Sequence, residues 1–592
     1  MNSRKLLLLF LTGAAIVYSC NKNKLDQQAL VSLDESSIEN KEGVEALLIG
    51  AYSMLDGISA PAILADGGAG SNWIFGSVCG SEAYKGSRKD DMAEITSLEK
   101  FIPNASNPQL AGKWLAVYTG VQRTNAVLRI LKKAKGISRA DSLRIAAEAR
   151  FLRGHYHFEA IKIWNKVPYV DETITYEAGN FRLGNKELIW PEIEGDLKFA
   201  MESLQGKMEA KGRANKYAAE AFLAKAYLFQ HKYDSAMPLL QDLISNGTTA
   251  GGEKYALTNK YQDNFNPDQK NSTESVFAVQ SSVNDGSGGY NGNLGDIFNY
   301  PVNPDGPGGG CCGFFQPSQY LVNHFKTDSN GLPDLYNFDV SDVKNDEGYA
   351  SADSFTPYNG TLDPRLDWTV GRRGIPYLDW GIHPGYDWIG DQGFAGPYSP
   401  IKNIYYKSQQ GHLSDASFWT AGSTATNINL IRFADVLLWY AEVHAQVGSI
   451  DSARYYVNLV RERAMNPDGW VHTYLDPADP AHGFTSTPAA NYHIGKYEDP
   501  WPNDRAFALK AIYFERMLEL SLEGHRFFDL VRWGIADTEI KAYFLHEKNT
   551  RTYLNDANFT KGVNEYFPLP EAQIDLSAGP DGVRLLIQNP GY

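Results

Sequence analysis

The sequence predicts a mainly α protein, a scaffold of tetratricopeptide-like helix pairs carrying a large, irregular, loop-rich ligand-binding region. Three observations predict this. Helical periodicity dominates residues 40–246 and 427–535, whereas residues 248–426 are rich in Gly, Pro, Asn and aromatics and keep no sustained period. A helix-pair pattern also recurs across that gap: Ala224, Asp234, Ala236 and Leu240 have the spacing of Ala441, Asp451, Ala453 and Val457. Small residues where helices cross, and an acid after a short turn to cap the next helix, are what stacked helix pairs require.

In the first block, apolar residues at helical spacing predict helices over 114–133, 139–164, 190–204, 215–230 and 233–244. In the second, Phe433, Leu437, Tyr440, Ala441 and His444 share one helical face. Asp451 opens the next helix, with Ala453, Tyr456 and Val460 turned inward. Residues 248–426 contain Gly286, Gly288 and Gly289, the run from Gly308 to Gly310, and scattered Trp and Tyr. So long a stretch without periodicity is functional or disordered, and its aromatic content argues for binding loops.

The chain begins as an export signal. Arg4 and Lys5 precede an apolar run from Leu6 to Val17, followed by Ser19 and Cys20. That run is shorter than the roughly 20 residues a bilayer-spanning helix needs, and no later stretch approaches that length. Val17, Tyr18, Ser19 and Cys20 resemble a bacterial lipobox, so Cys20 is expected to be acylated and to become the N-terminus. The alternative is an ordinary secretory signal cut near Ser19, against which stands the missing A-x-A pattern. At about 0.8 kcal/mol per buried methylene, several acyl chains such as palmitate would hold the protein durably. The resulting division is a signal over 1–19, an N-terminal helical scaffold over 20–247, and a loop-rich region with a C-terminal helical part over 248–592.

Removing Arg4 and Lys5 from 55 basic side chains leaves 53 against 70 acids, a net charge near −17. Nucleic acid and polybasic docking on anionic lipid both need clustered Lys and Arg, so this charge disfavours both.

Four ordered segments resemble the SusD/RagB-like nutrient-uptake lipoproteins of Bacteroidetes. The first runs from Ala147 and Glu148 through Arg150, Phe151 and Arg153 to Trp164, with Val167 and Pro168 after it. The second is Arg432, Phe433, Ala434 and Asp435 with Ala441 and Glu442. The third joins Glu515, Arg516, Glu519 and Leu520 to Glu523, Gly524, His525, Arg526, Phe527, Phe528, Asp529, Arg532, Trp533 and Gly534. The fourth is Phe567, Pro568, Leu569 and Pro570, then Ile574, closing on Asn589, Pro590, Gly591 and Tyr592. The resemblance implies a surface-exposed, lipid-anchored outer-membrane protein that sits as a lid over a TonB-dependent, SusC-like β-barrel. Such a lid captures oligosaccharide and passes it into the barrel; some relatives carry peptide.

Read as physics, these motifs are structural. Glu515, Glu519 and Glu523 recur every four residues as a polar helix face, while Leu518, Leu522 and Phe528 serve the packed side. His525 is expected to be a satisfied core residue, since no second His stands at metal-ligand spacing, and Arg526 and Asp529 a pinned pair.

The chain has no H-E-x-x-H, G-x-S-x-G, Walker-type glycine loop or C-x-x-C, so no catalytic residue, cofactor or metal ligand is assigned. Asp328, Asp334 and Asp339 lack EF-hand spacing. A helical glycoside hydrolase is the alternative, because two carboxylates suffice for that chemistry. A bare protein-binding repeat scaffold would not need the aromatic loops.

Sugars offer apolar C–H faces to rings and hydroxyls to polar groups, which makes aromatics beside donors and acceptors the candidate glycan contacts. One cluster is Trp73, Glu82 and Tyr84 in a glycine-punctuated loop. The other contains Trp368, Arg372, Arg373, Tyr377, Asp379, Trp380, Trp388 and Tyr398. With Cys20 acylated, Cys79, Cys311 and Cys312 remain, an odd number outside a reducing compartment. Either Cys311 and Cys312 bridge into a stiff apolar knob at the tip of the glycine loop, able to stack on a sugar, or Cys79 pairs with one of them, or all three stay reduced.

Overall fold

The computed structural model describes residues 35–58, 66–498 and 501–592. Among them, ten helices span twelve residues or more: α1 Lys41–Tyr52, α2 Pro108–Lys133, α3 Arg139–Trp164, α4 Trp190–Ser203, α5 Lys216–Phe229, α6 Tyr233–Asn246, α7 Phe433–Val447, α8 Ile450–Ala464, α9 Arg505–Leu520 and α10 Ala536–Glu547. Polar side chains start several of them. Asn40, Ser138 and Asn215 each accept a backbone N–H of the first turn, and Asn107 does so with Pro108 as the first helical residue. These contacts satisfy amides that the helix itself leaves unpaired.

Consecutive helices pack in an unbroken series from α1 to α9. The series ignores the gap in sequence: α7 stacks on α6 although 186 residues, 247–432, separate them. The loop-rich region is thus an insertion between two helix pairs. Its base is closed by β2 Ser275–Val279 pairing antiparallel with β6 Ile428–Arg432, which leads directly into α7. The recurring pattern falls on the pairs α5–α6 and α7–α8, with Ala224 and Ala441 fully buried where the helices cross. Its acids, however, are not caps. Asp234 and Asp451 lie inside the first turns, and Ser449 caps α8 instead, because its side chain is the one placed to accept the Ser452 N–H.

Within α3, nearly every residue from Ala147 to Trp164 is buried, as expected of a helix covered on all sides. Three further two-stranded antiparallel pairs form: β1 Ala83–Gly86 with β3 Phe314–Pro317 joins the N-terminal part to the insertion, β4 Val370–Gly371 with β5 Ser399–Pro400 lies within the insertion, and β7 His472–Tyr474 with β8 Phe484–Pro488 lies between α8 and α9.

The acidic row, expected as the polar face opposite a packed side, is itself packed: Glu515 and Glu519 lie on α9 and Glu523 just beyond its end. Glu515 and Glu519 are fully buried, and Glu523 is nearly so. Arg365 reaches Glu515 at 2.7 Å and Glu519 at 2.9 Å, and is held by Asp363 at 2.7 Å. Arg461 reaches Glu515 at 2.8 Å; Arg432 reaches Glu274 and Glu523 at 2.8 Å; Arg463 pairs with Glu519 and Glu274; and Lys402 reaches Glu523 at 2.7 Å. Four arginines and one lysine thus face five carboxylates in the interior. Asp363, Arg365 and Lys402 come from the insertion, so this balanced cluster locks the loops onto the helix array.

Two smaller expectations also change. Asp529 pairs with Arg516 and Arg532, whereas Arg526 reaches Glu539, because Arg526 starts the short helix Arg526–Arg532 and projects toward α10. Among the described residues, His525 Nε2 has no hydrogen-bond partner, and the Asp435 carboxylate lies 3.9 Å away. Gly524 explains this motif's glycine. It adopts φ +76°, and a Cβ there would lie 1.9 Å from Ser71 O, while one on Gly76 would lie 1.9 Å from Gly524 O. Two backbones cross here at a separation that only glycine permits.

Candidate glycan-binding face

Most of the candidate residues lie in the interior. Trp73 is 1% exposed, donates Nε1–H to Gly295 O at 3.2 Å and packs on Phe315 at 5.6 Å. Glu82 accepts the Leu522 N–H at 3.0 Å, and burial pushes its pKa up to about 8 against the lowering effect of its hydrogen bonds. The Tyr84 hydroxyl lies between Glu547 and the Gln319 N–H. Trp368 donates to Gly469 O at 2.8 Å, Arg372 grips Asp367 at 2.6 Å, and Tyr398 donates to Gln319 Oε1 at 2.9 Å. All six are buried, with their polar atoms engaged by protein. Arg373, Tyr377 and Trp388 are buried as well.

Cys311, Cys312 and Trp380 keep exposed surface. Cys311 and Cys312 form a disulfide, and Cys79 is a buried free thiol. The peptide between the bridged cysteines is cis, with Cα atoms 3.0 Å apart.

The surroundings of that bridge define the site. Gly308 adopts φ +67°, and a Cβ on it would sit 2.4 Å from the Tyr300 ring. Its N–H donates to Tyr405 Oη at 3.1 Å, and its carbonyl accepts from Thr420 Oγ1. The glycine loop is thereby pinned against residues 418–422. Beyond it, the Cys312 N–H donates to Phe298 O at 3.0 Å, and the Gly313 N–H to Tyr300 O at 2.8 Å.

Phe298 is half-buried, and its ring lies 5.9 Å from Trp419, which is 55% exposed. Phe418 joins Trp419 to Tyr290 through centroid distances of 6.1 and 5.3 Å, and Tyr290 is 46% exposed. A row of rings therefore leads from Tyr290 to Phe298, whose carbonyl accepts the Cys312 N–H. Asp285, Ser287 and Asn291 surround Tyr290 with polar groups, and Asn291 donates to Asp285 at 2.9 Å. Trp380 reaches this region from behind, donating to Tyr405 O at 2.8 Å.

Across the bridge, the Ser87 N–H donates to Gly313 O at 2.5 Å. Next to Ser87 opens a cavity of about 860 Å³ lined by Arg88, Asp90, Glu347, Tyr386 and Asp391. An exposed ring row with a polar cavity beyond offers stacking surfaces and hydroxyl partners together. Sequence reasoning did not single out Tyr290, Phe298, Phe418 or Trp419. The available signal was two adjacent aromatics, Phe418 and Trp419, in a run of small and polar residues.

The chain belongs to the SusD family: that family's model matches residues 273–592, and a second, described as starch-binding associating with outer membrane, matches residues 33–228. A SusD-like protein from Formosa agariphila is 23% identical over 526 residues, 86% of each chain. Among solved structures, a SusD superfamily protein from Bacteroides vulgatus shares 19% identity at a TM-score of 0.65, covering 94% of this chain and 100% of that one. Surface glycan-binding protein A from Bacteroides thetaiotaomicron, in complex with laminarihexaose, shares 19% identity at a TM-score of 0.61, covering 93% and 99%. These structures share the fold. Cys20 lies outside the described residues; among the described ones, no helix is long and apolar enough to cross a membrane.

Proposed function

We propose that the protein captures an oligosaccharide on the face built by Tyr290, Phe298, Trp419 and the Cys311–Cys312 bridge, and releases it uncleaved to a SusC-like, TonB-dependent β-barrel. The exposed Trp419 ring, 5.9 Å from Phe298, carries this reading. A large aromatic left in solvent forgoes roughly 1.5–3 kcal/mol of burial, a cost that a ligand covering it recovers. Trp380, set behind the same loop, is the second ring offered to the ligand. Acylation of Cys20 would tether the chain to the outer membrane, with residues 1–19 removed as signal.

A glycan array that includes starch and laminarin oligosaccharides, probed with the chain lacking residues 1–20, tests this reading. Binding of at least one oligosaccharide class is expected, with the sugar recovered intact on chromatography after prolonged incubation. Sustained cleavage would instead establish a hydrolase, and binding confined to peptides would reassign the cargo. For the tether, Cys20→Ala is expected to abolish palmitate labelling and release the protein from the membrane fraction.

A further inference from the structure

A second cavity, of about 460 Å³, lies between the end of α7, the outer side of α9 and the turn into α10. None of these elements contributes to the Trp419 face. We propose that this cavity binds a small aromatic carboxylate, independently of any glycan.

Its walls are rings. Tyr513 and Trp533 stack at 3.7 Å with an interplanar angle of 16°. Phe514 and Phe338 meet edge to face at 5.6 Å, and His324 lies against both, 3.8 Å from Phe338 and 4.8 Å from Phe514. Burial, with a smaller contribution from the Arg526 charge, holds His324 well below the ordinary histidine pKa, so it lines the cavity as a neutral ring.

The polar end is Arg526, 6% exposed. Of its three guanidinium nitrogens, only Nη2 has a hydrogen-bond partner among the described residues, Glu539 at the long distance of 3.3 Å. Elsewhere in the interior, Arg432 grips Glu274, Glu519 and Glu523, and Arg532 grips Glu442 and Asp529. Arg526 is thus a buried cation with much of its donor capacity unused, and such a group gains from a charged acceptor. Lys510 lines the same cavity, its ammonium 4.3 Å above the Tyr336 ring. Arg526 and Lys510 against Glu539 leave one positive charge in excess, which a single carboxylate balances. A volume within the roughly 300–1,000 Å³ typical of small-molecule sites fits one aromatic ring system with a short acid chain.

Calorimetric titration of the purified protein with indolepropionate, and with the corresponding amide, tests the proposal. Saturable one-site binding of the acid is expected, with the amide at least about tenfold weaker. Arg526→Gln should weaken the acid at least about tenfold. Ala506→Trp narrows the cavity from an exposed helix position, keeps the guanidinium and the melting temperature, and should weaken the acid to a similar degree. Any glycan binding should survive Ala506→Trp. Absence of acid binding, equal binding of acid and amide, or acid binding undiminished in Ala506→Trp overturns the proposal.

Discussion

Arg432, the last residue of β6, donates through Nη2 to the carbonyl of Glu519 at 2.6 Å and through Nη1 to the Glu519 carboxylate, joining the closing strand of the loop insertion to α9 in the fully buried interior. Withdrawing one partner leaves the other charge uncompensated, which costs roughly 3–5 kcal/mol. Glu519→Ala is therefore expected to destabilise the protein by about that amount in urea unfolding. Truncating a solvent-screened surface ion pair such as Lys41 with Asp141 should cost far less.

Acid should weaken the same cluster. Burial raises the Glu519 pKa, but Arg463, Arg432 and Arg365 together outweigh it and hold the group below its ordinary 4.5. A carboxylate depressed in the folded state contributes stability above its unfolded pKa and loses it as pH falls toward the folded value. The melting temperature should fall as pH drops below about 4.5, with Glu519→Gln showing a shallower fall than wild type.

Glu82 predicts the opposite slope. Burial raises its pKa to about 8, so its contribution is complete below the ordinary 4.5 and declines as pH rises through about 8. Glu82→Gln imitates the protonated carboxyl and should flatten that decline between pH 4.5 and 8. Thermal melts across this window check it; an unchanged slope would show that Glu82 ionises without cost.

Trp73 and Trp380 should separate cleanly. Trp73 is enclosed, and its truncation to Ala should remove about 3–5 kcal/mol of stability while leaving the Trp419 face intact. Trp380 keeps exposed surface, so Trp380→Ala should melt closer to wild type and reduce oligosaccharide affinity. Thermal melting and titration on the same two variants make the comparison.

The scaffold was legible because helices announce themselves locally. Residues 139–164 form α3 as the spacing predicts, and the recurrence of Ala224 and Ala441 marks two pairs that stack in space. Long-range pairing was not legible. A row of Glu515, Glu519 and Glu523 looks the same whether it meets water or arginines, and the deciding partner Arg365 lies 150 residues away from Glu515. Nor could the aromatics be sorted. Trp73 opens a buried six-residue π-helical turn, Trp73–Val78, and Trp419 sits in a loop, yet neither segment has a sequence period that assigns a buried side. In the structure the first packs inside where Gly76 crosses Gly524, and the second stays outside next to Thr420, which pins the Gly308 loop.

Titration of Trp419→Ala with the oligosaccharide selected on the array tests the central claim most directly. The ring is 55% exposed, so its loss should leave the melting temperature within about 2 °C of wild type. Loss of a stacking hot spot should weaken binding by at least 1–2 kcal/mol, about five- to thirtyfold. Wild-type affinity in this variant, with the fold intact, would contradict the account and move the ligand to another face.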